Sequence, residues 1–202
     1  MAALDDFIAL VGLEIPDCPE PIVSHQVITS AQEYCARSSI WQVEMDAETV
    51  SPTDPTLDLI PDEGIVDRVE LLYVDGDRVY PVGKTTLPDE WTTETGTTQG
   101  FIYETESTIR LYPIPVADVS VTGYLVVKPK ARGPIPQWLY DNELHREGIL
   151  AGALARLYRL PKKPWLDLAQ ATAMGSVFES KISRAAIRVH RGELMRIKLM
   201  EI

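Results

Sequence analysis

Cysteine and histidine are scarce in this chain of 202 residues, which holds two cysteines and three histidines. Cys18 and Cys35 form no CxxC motif, and no histidine stands at the spacing that a zinc site requires. In a reducing compartment, two free thiols are favoured over a disulfide between them. We therefore expect no metal, no cofactor and no disulfide framework.

Long hydrophobic runs are also missing. No apolar stretch approaches the roughly 20 residues that a transmembrane helix needs. The acidic pair Asp5 and Asp6 lies where a signal peptide would carry lysines. These features predict a cytosolic protein without a membrane partner.

Sequence motifs of catalysis are absent as well. The sequence contains no GxSxG, GxGxxG, GxxxxGK[ST] or HExxH pattern. His25, His145 and His190 fall on three different predicted helices, so we interpret them as surface residues rather than as parts of a triad. Acidic pairs that are adjacent in sequence seldom face one reaction centre, and they are interpreted as solvated surface. We predict that the protein is not an enzyme.

Basic residues are few in the first two-thirds of the chain. Residues 1–135 hold 8 Lys and Arg against 23 Asp and Glu, a net charge of −15, whereas residues 137–202 hold 11 against 7, a net charge of +4. An acidic body does not bind nucleic acid by neutralising phosphates. The basic C-terminal part could do so, but a helix face or a docking surface is the favoured interpretation.

The most informative segment that is present spans residues 138–160, for which the sequence predicts one helix. Its second half is apolar nearly all round, which is typical of a buried helix. Small side chains form one of its faces, over which another helix could pack closely: Gly148, Ala151, Gly152 and Ala155. This helix is the predicted centre of a helical core.

Around it, helical periodicity predicts helices at about residues 4–11 and 21–41, and a further helix that begins at Pro164 and reaches about Arg191. Leu166, Ala169, Ala173 and Val177 recur along one side of that last helix. Between residues 43 and 128 the alternation changes to that of strands, and Asp75-Gly76 is a hairpin signal.

The predicted fold class is therefore α+β, a helical bundle formed by the N- and C-terminal helices with a central antiparallel β insertion, either a sheet or a small sandwich. We divide the chain into residues 1–42 (N-terminal helices of the bundle), 43–135 (β insertion), 136–191 (C-terminal helices) and 192–202 (C-terminal tail).

Three segments in succession resemble the head–tail adaptor, or connector, proteins of tailed bacteriophages. They are LDDFIALVGLEIPDCPEPIVSHQVITSAQEYCARSSIWQ at the start, TIRLYPIP in the middle with its Leu-x-Pro-x-Pro pattern, and EGILAGALARLYRLPKKPW near the end. In the family these positions hold two helices joined by a Pro/Cys-containing loop, a strand, and an Ala/Gly-rich helix closed by a Pro-Trp element. The resemblance covers nearly the whole chain.

The resemblance implies a structural virion protein of the neck, assembled in the host cytoplasm. It implies a homo-oligomeric ring, a dodecamer, that binds the portal protein above and a tail or neck protein below, with DNA only as passing cargo. Two alternatives remain: another neck or tail component, such as a tail terminator or a head-completion protein, and an enzyme with an acidic site assembled from loops. The acidic body could line the DNA channel, where like charge would keep the duplex from sticking, or it could lie on the outside and serve solubility.

The C-terminal segment combines basic and apolar residues at a chain end, where apolar side chains gain nothing unless they are covered. The tail could fold back on its own bundle. The resemblance implies instead that it grips the portal, through a docking set of eight residues: Arg184, Arg188, Arg191, Leu194, Arg196, Ile197, Lys198 and Met200.

Overall fold

The computed structural model describes residues 3–192, and these form five α-helices and seven β-strands. The helices are α1 (Ala3–Glu14), α2 (Glu20–Ser38), α3 (Gln137–Asp141), α4 (Glu143–Leu157) and α5 (Leu168–His190). The strands are β1 (Gln42–Val50), β2 (Thr56–Asp58), β3 (Ile65–Val74), β4 (Asp77–Pro81), β5 (Gly100–Tyr103), β6 (Thr108–Tyr112) and β7 (Val119–Lys128). The α+β class predicted from the sequence is confirmed, with the strands between the N- and C-terminal helices.

The chain divides into two compact units. The helical unit combines the N-terminal part up to Trp41 with the part that starts at Lys128, and it contains all five helices. The sheet unit is Gln42–Val127. Within residues 3–192, the polypeptide leaves the helical unit once and returns to it once, so the β segment is an insertion between helices that pack together.

Helix α4 is the centre of the helical unit, as its apolar sequence predicts, and nine of its residues are buried. It packs against α2 and α5 on its small-residue face. A Cβ atom on Gly148 would lie 2.5 Å from the Tyr34 ring, and one on Gly152 would lie 2.8 Å from the Phe178 ring. The two glycines therefore let the aromatic side chains of α2 and α5 reach the α4 backbone, and the predicted small-residue contact is confirmed.

The prediction of one continuous helix over residues 138–160 is wrong. The structure has two helices, because the backbone of Asn142 is extended (φ −85°, ψ 116°) and breaks the helical hydrogen bonding there. The Asn142 side chain instead accepts a hydrogen bond from the Leu144 amide at 3.0 Å. It thereby satisfies one of the free donors at the start of α4, as asparagine commonly does at an N-cap.

Two other helix ends differ from the sequence expectation. Helix α2 ends at Ser38 rather than Trp41, because Ser39 adopts a left-handed conformation with φ 54°. Helix α5 begins at Leu168 rather than at Pro164, because the Asp167 side chain caps it and accepts hydrogen bonds from the amides of Ala169 and Gln170, both at 2.9 Å. The Asp167 carboxylate thus lies just before the first turn of α5.

The buried side of α5 is not the side on which Leu166, Ala169, Ala173 and Val177 recur. Its buried residues are Ala171, Phe178, Ile182 and Ala185, whereas the other four side chains are exposed. Phe178 reaches the α4 glycine face from this buried stripe. One face of α5 thus belongs to the core, and a second, partly apolar face is left at the surface.

The sheet unit is a seven-stranded sheet with the order β1-β7-β3-β4-β5-β6-β2. The hairpin predicted at Asp75-Gly76 is present: Val74 pairs with Asp77, and both turn residues have positive φ, 50° and 89°. The sheet is mixed rather than purely antiparallel, because β4 and β5 pair in parallel. The long connection between these two strands, residues 82–99, lets the chain return in the same direction.

We predict that Gly152→Ala lowers the free energy of unfolding by about 1–3 kcal/mol, because the added methyl group overlaps Phe178 and Ser30 in a packed contact. The matched control is Gly12→Ala in α1, where a Cβ atom meets nothing within 4 Å. There the same change should stabilise by about 0.5–1 kcal/mol through helix propensity. Urea unfolding followed by far-UV circular dichroism measures both. Equal effects of the two changes would contradict the central place of α4.

Candidate interaction surfaces

The interior of the helical unit holds one polar pair that the sequence did not indicate. His145 on α4 is only 1% exposed, and its Nδ1 lies 3.0 Å from the Tyr34 hydroxyl on α2. Its ring also makes an edge contact with Trp138, at 5.8 Å between centroids. The interpretation of His145 as a surface residue is therefore wrong, whereas His25 and His190 are exposed as expected. The residues that neighbour His145 in the sequence are both apolar and polar. They therefore did not indicate whether its imidazole is buried or exposed.

Burial and the charge of Arg188 together lower the pKa of His145 to about 4, because a buried imidazolium loses its hydration and is repelled by a nearby cation. Burial likewise raises the pKa of the Tyr34 hydroxyl, which stays protonated at neutral pH. The folded state thus requires a neutral imidazole between α2 and α4. This pair has the character of a structural contact, since both groups are enclosed by side chains of the core.

The depressed pKa of His145 makes stability depend on pH. The stabilisation is complete above the ordinary histidine pKa of 6.5 and is lost as the pH falls towards about 4, where the folded state must take up the charge. We expect this one group to lower the free energy of unfolding by on the order of 3 kcal/mol across that pH range.

The double variant Tyr34→Phe/His145→Phe, which keeps an aromatic ring at both positions, should not show the loss of stability that His145 causes at acidic pH. Urea unfolding at pH 7 and pH 4 measures this loss. The control is His25→Asn, which retains His145 and should show the loss in full. Carboxylates destabilise all three proteins alike on acidification, so the difference between them isolates His145. An identical loss in the double variant would show that the imidazole accepts a proton without cost.

Ion pairs on the surface connect the three large helices. Arg37 on α2 binds Glu179 on α5 through two hydrogen bonds of 2.7 and 2.5 Å, and Glu33 lies between Arg37 and Arg156 of α4. The hydrogen bond from Arg37 holds the pKa of Glu179 below its usual range. Such exposed pairs contribute little energy each, but the paired geometry orients α5 on the bundle.

The basic end of α5 contains the described part of the predicted docking set. Arg184 and Arg188 lie on the last two turns of the helix, and Arg191 is its C-cap residue. All three are exposed. Helix α5 thus brings these three residues to one end of the helical unit. The other five members, Leu194, Arg196, Ile197, Lys198 and Met200, lie outside the described residues.

The sheet unit has the opposite electrostatic character. It holds 17 Asp and Glu against 4 Lys and Arg, a net charge of −13. The described residues of the helical unit hold 11 acids against 13 bases, a net charge of +2. The charge asymmetry along the sequence is therefore an asymmetry between two compact bodies. Charged surfaces of this kind can steer and orient binding partners.

No group of three metal-binding side chains of the type His, Cys, Asp or Glu occurs within residues 3–192. Cys18 and Cys35 form no disulfide, and Cys35 is buried in α2. In the same part of the chain, no helix combines the length and the apolar character needed to cross a bilayer. The other features of this part of the chain are charged and apolar surfaces.

The class of protein follows from comparison with known proteins. The sequence profile of the SU10 adaptor protein family matches residues 2–196 of this chain. The chain belongs to that family, which comprises structural head–tail adaptors of bacteriophages, and it is a phage structural protein of the adaptor type. No curated protein matches the chain. The resemblance to head–tail adaptors noted in the sequence is thereby confirmed.

Proposed function

We propose that this protein forms the adaptor ring in the neck of the virion, where it joins the portal protein to a tail or neck protein and lets DNA pass. Membership of the SU10 adaptor family over residues 2–196 is the observation that carries the proposal. A tail terminator or a head-completion protein has less support, because the match extends over both units. We take the ring to be a dodecamer that assembles in the host cytoplasm before it enters the particle.

The basic end of α5 supports a contact with the portal. Arg184, Arg188 and Arg191 project from one helix end immediately before a segment that contributes Leu194, Arg196, Ile197, Lys198 and Met200. In an interface of this composition, the cations steer and orient the partner while the apolar residues supply most of the affinity. We assign these eight residues to portal docking.

The charge of the sheet unit is an argument for our proposal that DNA passes without being retained. With a net charge of −13, it repels the phosphate backbone instead of neutralising it. Carboxylates along a channel would let the duplex slide past, whereas carboxylates on the outside would serve solubility. We propose that part of this acidic surface faces the DNA.

Charge reversal of the docking residues tests the portal contact. Arg184→Glu/Arg188→Glu should reduce co-purification with the portal protein by about tenfold or more, because like charges then face each other at the interface. The melting temperature should stay within about 2 °C, since both side chains are exposed. The matched control is Lys130→Glu/Arg132→Glu, which makes the same charge change at two exposed residues elsewhere in the helical unit.

Truncation at Glu193 extends this test to the C-terminal tail. Removal of residues 193–202 should abolish portal attachment and leave the melting temperature unchanged. A truncated protein that is destabilised would show that the tail belongs to the core of its own subunit. Retained attachment of both the truncated protein and the α5 variant would rule out docking through this end.

A gel shift at low salt tests the role of the acidic surface. The full-length protein should leave a short DNA duplex unretarded at micromolar concentrations, because electrostatic attraction to phosphate supplies most nonspecific binding and is lacking here. A basic DNA-binding protein in the same buffer provides the positive control. Tight binding of the duplex by the adaptor would rule out a channel that repels DNA.

A further inference from the structure

The first half of α5 presents an apolar surface that no part of the described chain covers. We call Leu166, Leu168, Ala169 and Ala173 the outer α5 face. Leu168 is 65% exposed and Leu166 is 45% exposed. Ala169 and Ala173, which are one helical turn apart, continue this face along the helix. Ala173 lies eleven residues, or about 16 Å, before Arg184, so the outer α5 face is separate from the docking set.

Positive charge borders this face at the N-terminal end of the helix. Arg159, Lys162 and Lys163 precede α5 and are exposed. The Arg159 guanidinium lies beside the helix, with one nitrogen 3.5 Å from where a Cβ atom on Gly175 would stand. Of the nearby acids, Asp167 uses its carboxylate in the capping hydrogen bonds of α5, and Glu14 lies close enough to act on the Tyr158 hydroxyl. The surface therefore suits a partner that offers an apolar side chain next to carboxylates.

The sheet unit of this same chain carries such a feature. Ile60 is 81% exposed, the highest value among the exposed large apolar side chains. Asp58 precedes it, and Asp62 and Glu63 follow it, all exposed. We call residues 58–63 the Ile60 loop. The loop has an apolar tip flanked by three acids, whereas the outer α5 face is an apolar surface bordered by three bases.

The Ile60 loop is held in place within its own unit. Leu59 is buried, and its amide donates a 2.7 Å hydrogen bond to the Ser107 carbonyl. The Thr108 hydroxyl donates a 2.8 Å hydrogen bond to Asp58. Gly64 ends the loop with φ 79°, a conformation that glycine adopts readily. Since the anchors orient the loop in advance, little conformational entropy is lost when its tip is bound.

We propose that the Ile60 loop of one subunit docks on the outer α5 face of a second copy of the same protein. Each chain carries one loop and one face, so the contact joins two different surfaces and can be repeated from subunit to subunit. Heterologous contacts of this kind close into rings when the rotation between copies permits it. A contact between two sheet units would instead set a charge of −13 against an equal charge. The inference rests on the proposed ring and assigns the surfaces that form it.

A charge swap tests the contact. Lys162→Glu/Lys163→Glu and Asp62→Lys/Glu63→Lys should each reduce the assembled fraction by about tenfold, because each places like charges together. The variant with all four substitutions restores opposite charges and should recover assembly. Native mass spectrometry of the protein co-expressed with portal protein measures the assembled fraction, and circular dichroism melts show that every variant is folded. The neutral change Ile60→Asn, which removes the apolar tip without changing the charge, should also weaken assembly.

The identity of the occupant is tested by a photo-crosslinking amino acid at position 60 of the full-length protein. The expected product is a crosslink to residues 159–177 of another adaptor subunit. A crosslink to the portal protein would overturn the proposal. The proposal would also fail if both double variants were impaired and the variant with all four substitutions did not recover assembly, or if both double variants formed normal rings. If the unmodified protein forms no ring with portal protein, it is the proposed function that fails, and the two failures are thus distinguishable.

Discussion

The close approach of α2 and α5 to the backbone of α4 is the contact on which the helical unit depends. It exists because Gly148 and Gly152 leave room for the rings of Tyr34 and Phe178. At this separation the Ser30 hydroxyl also reaches the Ile149 carbonyl, at 2.8 Å. Segments from both ends of the chain are thereby joined in one core, and the β segment between them folds as an insertion. Packing at this density leaves little tolerance for added volume.

The same packing also determines where the two surfaces that we propose for assembly lie. Because α5 presents Phe178 and Ile182 to the core, its remaining sides are free to carry other functions. The basic residues gather at its C-terminal end, and the outer α5 face occupies its first half. The capping of α5 by Asp167 and the ion pair between Arg37 and Glu179 set the position and rotation of the helix, and with them the direction in which both surfaces point.

Charge is segregated between the two units more strongly than the total of −11 indicates. The sheet unit is strongly acidic, whereas the helical unit is close to neutral and basic at its exposed helix ends. In the ring that we propose, this distribution would let one polypeptide attract unlike surfaces of its partners and repel the phosphate backbone of DNA. Attraction between unlike units would favour head-to-tail contacts between copies over symmetric ones.

By itself, the sequence determined the fold class, the buried character of α4, its glycine face and the hairpin at Asp75-Gly76, because periodicity, residue size and turn chemistry are local properties. The family also followed from the order of its motifs. Only the tertiary structure decided that His145 is buried, that a helix break occurs at Asn142 and that β4 pairs in parallel with β5. It also decided which apolar stripe of α5 enters the core. Two stripes of similar hydrophobicity compete on that helix, and the choice depends on which of them fits the groove that distant residues of α2 and α4 create.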